Sequence, residues 1–151
     1  MTNAERAAVV DASVAAKWRL NDEELVDEAG LLLDQHLAGG MILLAPSLIR
    51  YELANTFEQA RRAGRISEHD VIIAMRDFFA FRIHAPDDSD ALIESASRVA
   101  ARLGLSVYDA TYVAFAEELG VTLVTNDREI LQAAGGHQIS ACALEEVRSI
   151  L

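Results

Sequence analysis

The chain has 151 residues, 52% hydrophobic and only 6% aromatic, enough for one domain spanning residues 1–151 with a core of Ala, Leu, Val and Ile. A net charge of −11 argues against nucleic acid held by surface charge alone. No apolar run approaches the roughly 18 residues of a membrane span, and no basic stretch followed by an apolar run marks a signal peptide. Cys142, the only cysteine, allows no intrachain disulfide, so a reducing cytoplasm is the expectation. Twelve of the thirteen basic residues are arginine, with Lys17 alone, and nothing functional follows from that bias.

Residues 2–6 read as a polar lead-in to a strand at 7–11, which opens on Ala7-Ala8-Val9-Val10. A short helix at 13–20 and a longer one at 23–38 follow. The pair Gly39-Gly40 stops the second, and Met41-Ile42-Leu43-Leu44-Ala45 predicts a strand at 41–45. Helices are expected at 47–63, with Ser47 as its cap, and at 68–79. A short strand at 81–85 precedes helices at 89–103 and 107–119. Then come a strand at 121–125, a helix at 127–134, a weak strand at 138–142 and a helical end at 143–150. Gly39, Gly64, Gly104, Gly120 and Gly135 each follow a helical pattern, as C-terminal caps do. Strands separated by helices predict right-handed crossovers and a mostly parallel sheet. The strands are apolar throughout, as expected when helices cover both faces.

Four acids stand at positions that such a sheet can gather. Asp11 closes the first strand, and Asp127 follows the strand containing Val121-Thr122-Leu123-Val124. Glu52 and Asp109 lie in the first turns of helices. Taken singly, three have ordinary explanations: Asp11 and Asp127 as caps or dipole partners, and Asp109 in a capping-box spacing after Ser106. Glu52 lies a turn beyond the expected cap Ser47, where no cap needs an acid. Ligands in parallel α/β sheets collect beyond the carboxyl ends of the strands. Carboxylates brought to about 4 Å there repel by a few kcal/mol at an effective dielectric near 20. Such a cluster needs shared protons or a cation. Oxygen donors without His or Cys select hard ions such as Mg²⁺ or Mn²⁺. Two such ions would leave a net charge of about −7, which softens the objection to nucleic acid.

The runs Val9-Val10-Asp11-Ala12-Ser13, Tyr51-Glu52-Leu53-Ala54-Asn55, Tyr108-Asp109-Ala110 and Leu123-Val124-Thr125-Asn126-Asp127 resemble the PIN domain family in order and spacing. More narrowly they resemble VapC-type toxins of bacterial toxin–antitoxin pairs. The resemblance implies a three-layer α/β/α fold with a central, mostly parallel sheet. It also implies cleavage of single-stranded RNA dependent on Mg²⁺ or Mn²⁺. By that analogy Asp11, Asp109 and Asp127 are direct metal ligands, and Glu52 acts largely through water. Ser13, Asn55 and Thr125 match supporting polar positions. The implied partner is an antitoxin whose basic tail fills the acidic pocket, and the implied assembly is a homodimer or a toxin–antitoxin hetero-oligomer. A catalytically inactive PIN-like module that binds metal or RNA is the rival reading.

Arg50, Arg61, Arg62 and Arg65 are candidates for RNA phosphate contacts, against the simpler role of a solvated helix end. Asp87, Asp88 and Asp90 lack the glycine and terminal Glu of a calcium loop and read as helix N-terminal charges. His36, His69, His84 and His137 have no metal-ligand spacing. A dehalogenase-type phosphatase would need an acid where Ser13 stands, and a receiver domain would need a late lysine. Trp18, Leu20, Leu25 and Leu31-Leu32-Leu33 make the first two helices apolar, either as core or as a groove for a partner helix.

Overall fold

The computed structural model describes residues 6–151; of the polar lead-in, all but Arg6 lies outside the described residues. The strands β1 (Ala7–Val10), β2 (Ile42–Leu44), β3 (Thr122–Thr125) and β4 (Ala141–Ala143) form one sheet in the order β2-β1-β3-β4. Every pairing is parallel, with Val9 opposite Leu44 on one side and Leu123 on the other. Val9, Val10, Leu43, Leu123 and Val124 are fully buried, which explains why these strands are apolar at successive positions rather than at alternate ones.

The helices are α1 (Ala12–Ala15), α2 (Val26–Leu37), α3 (Ile49–Arg62), α4 (Glu68–Ala80), α5 (Asp90–Leu103), α6 (Val107–Leu119) and α7 (Arg128–His137). Helix α6 packs on β1 and β3 and is itself covered by α5, while α3 packs on α1 and α4. Seven consecutive residues of α6, Ala110–Ala116, are buried, so this helix lies inside the molecule. Its ends are set by the Ser106 hydroxyl, which accepts from the Asp109 amide at 3.1 Å, and by Gly120 at φ +65°.

Several expectations need correction. The strand expected at 81–85 is reduced to one bridge, with His84 pairing Leu44 at the edge of β2. Arg82 adopts φ +56° and Pro86 has no amide to donate, so the ladder cannot extend either way. The helix expected at 13–20 is α1 followed by a 3₁₀ turn at Ala16–Trp18. There the Trp18 indole N–H donates to Ala29 O at 2.8 Å and ties the turn to α2. Helix α2 starts only at Val26, after Leu25 at φ +59°. Helix α7 runs through Gly135 to His137, and Gln138 at φ +56° takes the left-handed position instead. The C-terminal helical end is a 3₁₀ segment, Leu144–Ser149.

Ser47 does not cap α3. Its amide and that of Leu48 donate instead to the two carboxylate oxygens of Asp88, at 2.9 and 3.3 Å. Asp88 thus anchors, from 40 residues away, the turn that leads into α3. Ser89, the next residue, caps α5 through the Leu92 amide. Trp18, Leu20, Leu32 and Leu33 are buried, so the apolar character of the first two helices is core packing. The exposed large apolar side chains lie elsewhere, at Tyr51 on α3 and at Ile72, Ile73 and Phe79 on α4 among others.

Candidate active site

The chain leaves β1 for β2 on one side, while β3 lies on the other, so the carboxyl end of β1 is a topological switch point. Asp11 follows β1 directly and is 4% exposed. Its two oxygens are held separately. Ser13 Oγ donates to Oδ1 at 2.5 Å, and the buried Thr125 hydroxyl donates to Oδ2. The two hydroxyls in turn accept from consecutive amides of the turn after β3: Asn126 N to Ser13 Oγ at 3.0 Å, and Asp127 N to Thr125 Oγ1 at 2.9 Å. Two parallel relays therefore clamp Asp11 against the β3–α7 turn. The Val14 amide also donates to Oδ1 at 3.3 Å, so the capping role and the site role coexist in one side chain.

Burial nonetheless pushes Asp11 up to about 6, against the lowering effect of the Ser13, Thr125 and Val14 bonds. Nearby negative charge from Asp127 adds to the rise. Glu52, half-buried in the first turn of α3, is raised by burial and then by Asp109 and Asp127. Asp109, the third residue of α6, is raised by burial and then by Asp127. Asp127 is thus the one carboxylate felt by all three others, and the four scattered acids share one neighbourhood. Asp127 spends Oδ1 on the amides of Glu129 and Ile130 at 2.9 and 3.1 Å, which caps α7.

Sequence reasoning missed one member of this group. Tyr112 stands one helical turn after Asp109 and is 1% exposed. Burial and the adjacent charges of Glu52, Asp11 and Asp109 push its phenol far up. Its hydroxyl and Glu52 Oε1 are both buried, and neither makes a well-formed hydrogen bond. The i, i+3 spacing from Asp109 was the available signal, since it places both side chains on one helical face.

Among the described residues, no three His, Cys, Asp or Glu side chains converge tightly enough to hold a metal ion as they stand. The donor set still fits a hard divalent cation, being all oxygen, with Glu52 Oε1 buried and unpartnered.

The remaining candidates are not gathered with the four acids. Asn55 is exposed on α3. Arg50 lines a cavity of about 490 Å³ with Tyr51, Met75 and Phe79. Arg61 and Arg62 bond Glu58, and Arg65 bonds Asp22 and Glu23. His36 is structural, with Nδ1 accepting from the Leu43 amide and Nε2 therefore donating to Phe81 O.

Fold and pocket together define a class: a parallel α/β domain with an oxygen-lined acidic crevice at the switch point of its sheet. The PIN domain family model matches residues 8–136, and the chain belongs to that family. Over 128 residues it is 31% identical to Ribonuclease VapC3 of Pyrobaculum aerophilum, covering 82% of this chain and 92% of that protein. Three solved structures share the fold. The crystal structure of PAE2754 from Pyrobaculum aerophilum superimposes with a TM-score of 0.69 at 25% identity, over 97% of each chain. Mycobacterium tuberculosis VapC20, described as a sarcin-ricin loop cleaving toxin, gives 0.65 at 18% identity, over 83% of this chain and 94% of its own. VapBC2 from Rickettsia felis, bound to a DNA fragment from its promoter, gives 0.65 at 14% identity, over 91% and 98%. At these last two identities the likeness speaks to the fold.

Proposed function

We propose that this protein is a divalent-metal-dependent endoribonuclease and the toxin of a VapC-type toxin–antitoxin pair. The observation that carries the reading is Asp11, buried and clamped by Ser13 and Thr125, in a pocket where Asp127 couples it electrostatically to Glu52 and Asp109. The relative named a ribonuclease supports the choice of RNA.

Asp11, Asp109 and Asp127 are the side chains to hold Mg²⁺ or Mn²⁺, with Glu52 beside them. Such an ion supplies an activated water and steadies the leaving oxygen of a phosphodiester. The chain's own contribution is placement. The Ser13 and Thr125 hydroxyls fix both oxygens of Asp11, and α3 and α6 carry Glu52 and Asp109 on rigid first turns. Arg50 is the best placed of the four arginines for a backbone phosphate, because the other three are engaged in ion pairs. Products with a 5′-phosphate and a 3′-hydroxyl follow by family analogy.

The acidic pocket and net charge of −11 suit an antitoxin with a basic tail, and a homodimer or toxin–antitoxin hetero-oligomer follows from the same analogy. No helix among the described residues is long and apolar enough to cross a membrane; the proposed place of action is the cytoplasm, where RNA is met. Residues 1–151 would act as one nuclease domain.

The test is direct. Antitoxin-free protein should cleave RNA with Mg²⁺ or Mn²⁺ and stop with EDTA. Metal binding without turnover on total RNA would instead favour the inactive PIN-like binding module.

A further inference from the structure

Lys17, the only lysine of the chain, is 5% exposed in the 3₁₀ turn after α1. Among the described residues it makes no ion pair within 4 Å. Lys17 nonetheless lines an open cavity of about 220 Å³, together with Ser13, Thr56, Glu23 and Asn126. A mostly buried cation without a counter-ion is costly, and a chain with twelve other cations at its surface does not need this one for solubility. The acid that shares the cavity, Glu23, is already paired with Arg65 at 3.0 Å.

The cavity adjoins the acidic pocket through shared residues. Ser13, on its wall, holds Asp11, and the amide of Asn126, also on its wall, donates to Ser13. The Ser13 hydroxyl is already committed to Asp11 and the Thr56 hydroxyl to Glu52 O, so Lys17 and the Asn126 side chain are the donors left for an occupant. An anion in this cavity would lie beside the acidic pocket without competing for the carboxylates.

We propose that this cavity is a phosphate subsite for the RNA strand, in which the Lys17 ammonium binds a backbone phosphate adjacent to the one being cut. The proposal rests on the nuclease reading for the identity of the strand. It also gives a strongly acidic protein a cation beside its acidic pocket with which to hold a polyanion.

The experiment compares Asp11→Asn protein, which keeps the RNA intact, with the Asp11→Asn, Lys17→Met double variant in Mg²⁺. Binding of a single-stranded RNA oligomer is followed by anisotropy across a salt series. Loss of one phosphate contact should lower the slope of log K against log salt by about 0.7 and weaken binding at low salt several-fold. Inorganic phosphate should raise the melting temperature of wild type more than that of Lys17→Met. An unchanged slope and affinity overturns the subsite even if the wild-type enzyme cleaves RNA. A reduced slope in a protein that cleaves no RNA retains the subsite and removes the nuclease reading. A lost phosphate response with unchanged RNA binding assigns the cavity to free phosphate and overturns the RNA assignment. A structural Lys17–Glu23 pair predicts that Lys17→Met and Glu23→Gln lower the melting temperature alike and leave the RNA slope intact, which also overturns it.

Discussion

The Thr125 hydroxyl donates to Asp11 across 114 residues of sequence while accepting the amide of Asp127. One side chain thus sets the position of two acids at the junction of β1 and β3. Replacing it tests the clamp. Thr125→Val keeps the shape, removes a donor from Asp11 and leaves the Asp127 amide without its acceptor. The expected cost is about 1–3 kcal/mol in urea denaturation, together with at least a tenfold loss of cleavage. Full activity in Thr125→Val would show that the relay does not position Asp11.

Asp11 supplies a pH signature. Its folded pKa of about 6 lies above the ordinary 3.8, so the folded protein holds this proton more tightly than the unfolded chain. That contribution favours folding below about pH 4 and is lost as pH rises through about 6. The gap corresponds to on the order of 3 kcal/mol. Asp11→Asn removes the buried charge and weakens one hydroxyl bond, costing about 1 kcal/mol. In EDTA it should therefore be more stable than wild type by about 1–2 kcal/mol above pH 7, with no advantage at pH 4. An unchanged or lower melting temperature at pH 7.5 would count against a crowded acidic pocket.

Divalent metal should invert that comparison. Mg²⁺ or Mn²⁺ binding to the folded state alone raises stability by mass action, by about 2.7 kcal/mol at a hundredfold excess over Kd. Wild type should gain more than Asp11→Asn, and its gain should shrink towards pH 5 as Asp11, raised to about 6, takes up its proton. Calorimetric scans with metal and with EDTA at pH 5 and pH 8 measure this directly. Equal gains at both pH values would place the ion elsewhere.

Asp88 offers a test away from the pocket. Asp88→Ala leaves the Ser47 and Leu48 amides at the start of α3 without their acceptor, at an expected cost of about 1–2 kcal/mol. Because α3 carries Glu52, cleavage should fall more than the small loss of stability explains. Activity and urea midpoint measured on the same preparation separate the two effects.

Most positions of the proposed site could be singled out before any coordinates. Asp11 and Asp127 stand at ends of apolar strands, and Asp109 follows a capping serine; local chemistry fixes such positions. The same locality made the capping explanations correct too, since Asp11 and Asp127 cap helices while facing the pocket. The strand expected at 81–85 failed because its apolar pattern gave no warning of the left-handed Arg82.

The order of strands and helices, the sheet's buried faces and the residue types at its carboxyl edge are consequences of periodicity and composition, and the amino-acid sequence alone determined them. Pairings between distant residues were settled only by tertiary structure: Thr125 with Asp11, Asp88 with the start of α3, Tyr112 beside Glu52, and Lys17 drawn under the surface beside Ser13. Hydrogen bonds and desolvation act over a few ångströms in space, and chain order does not encode which side chains come that close.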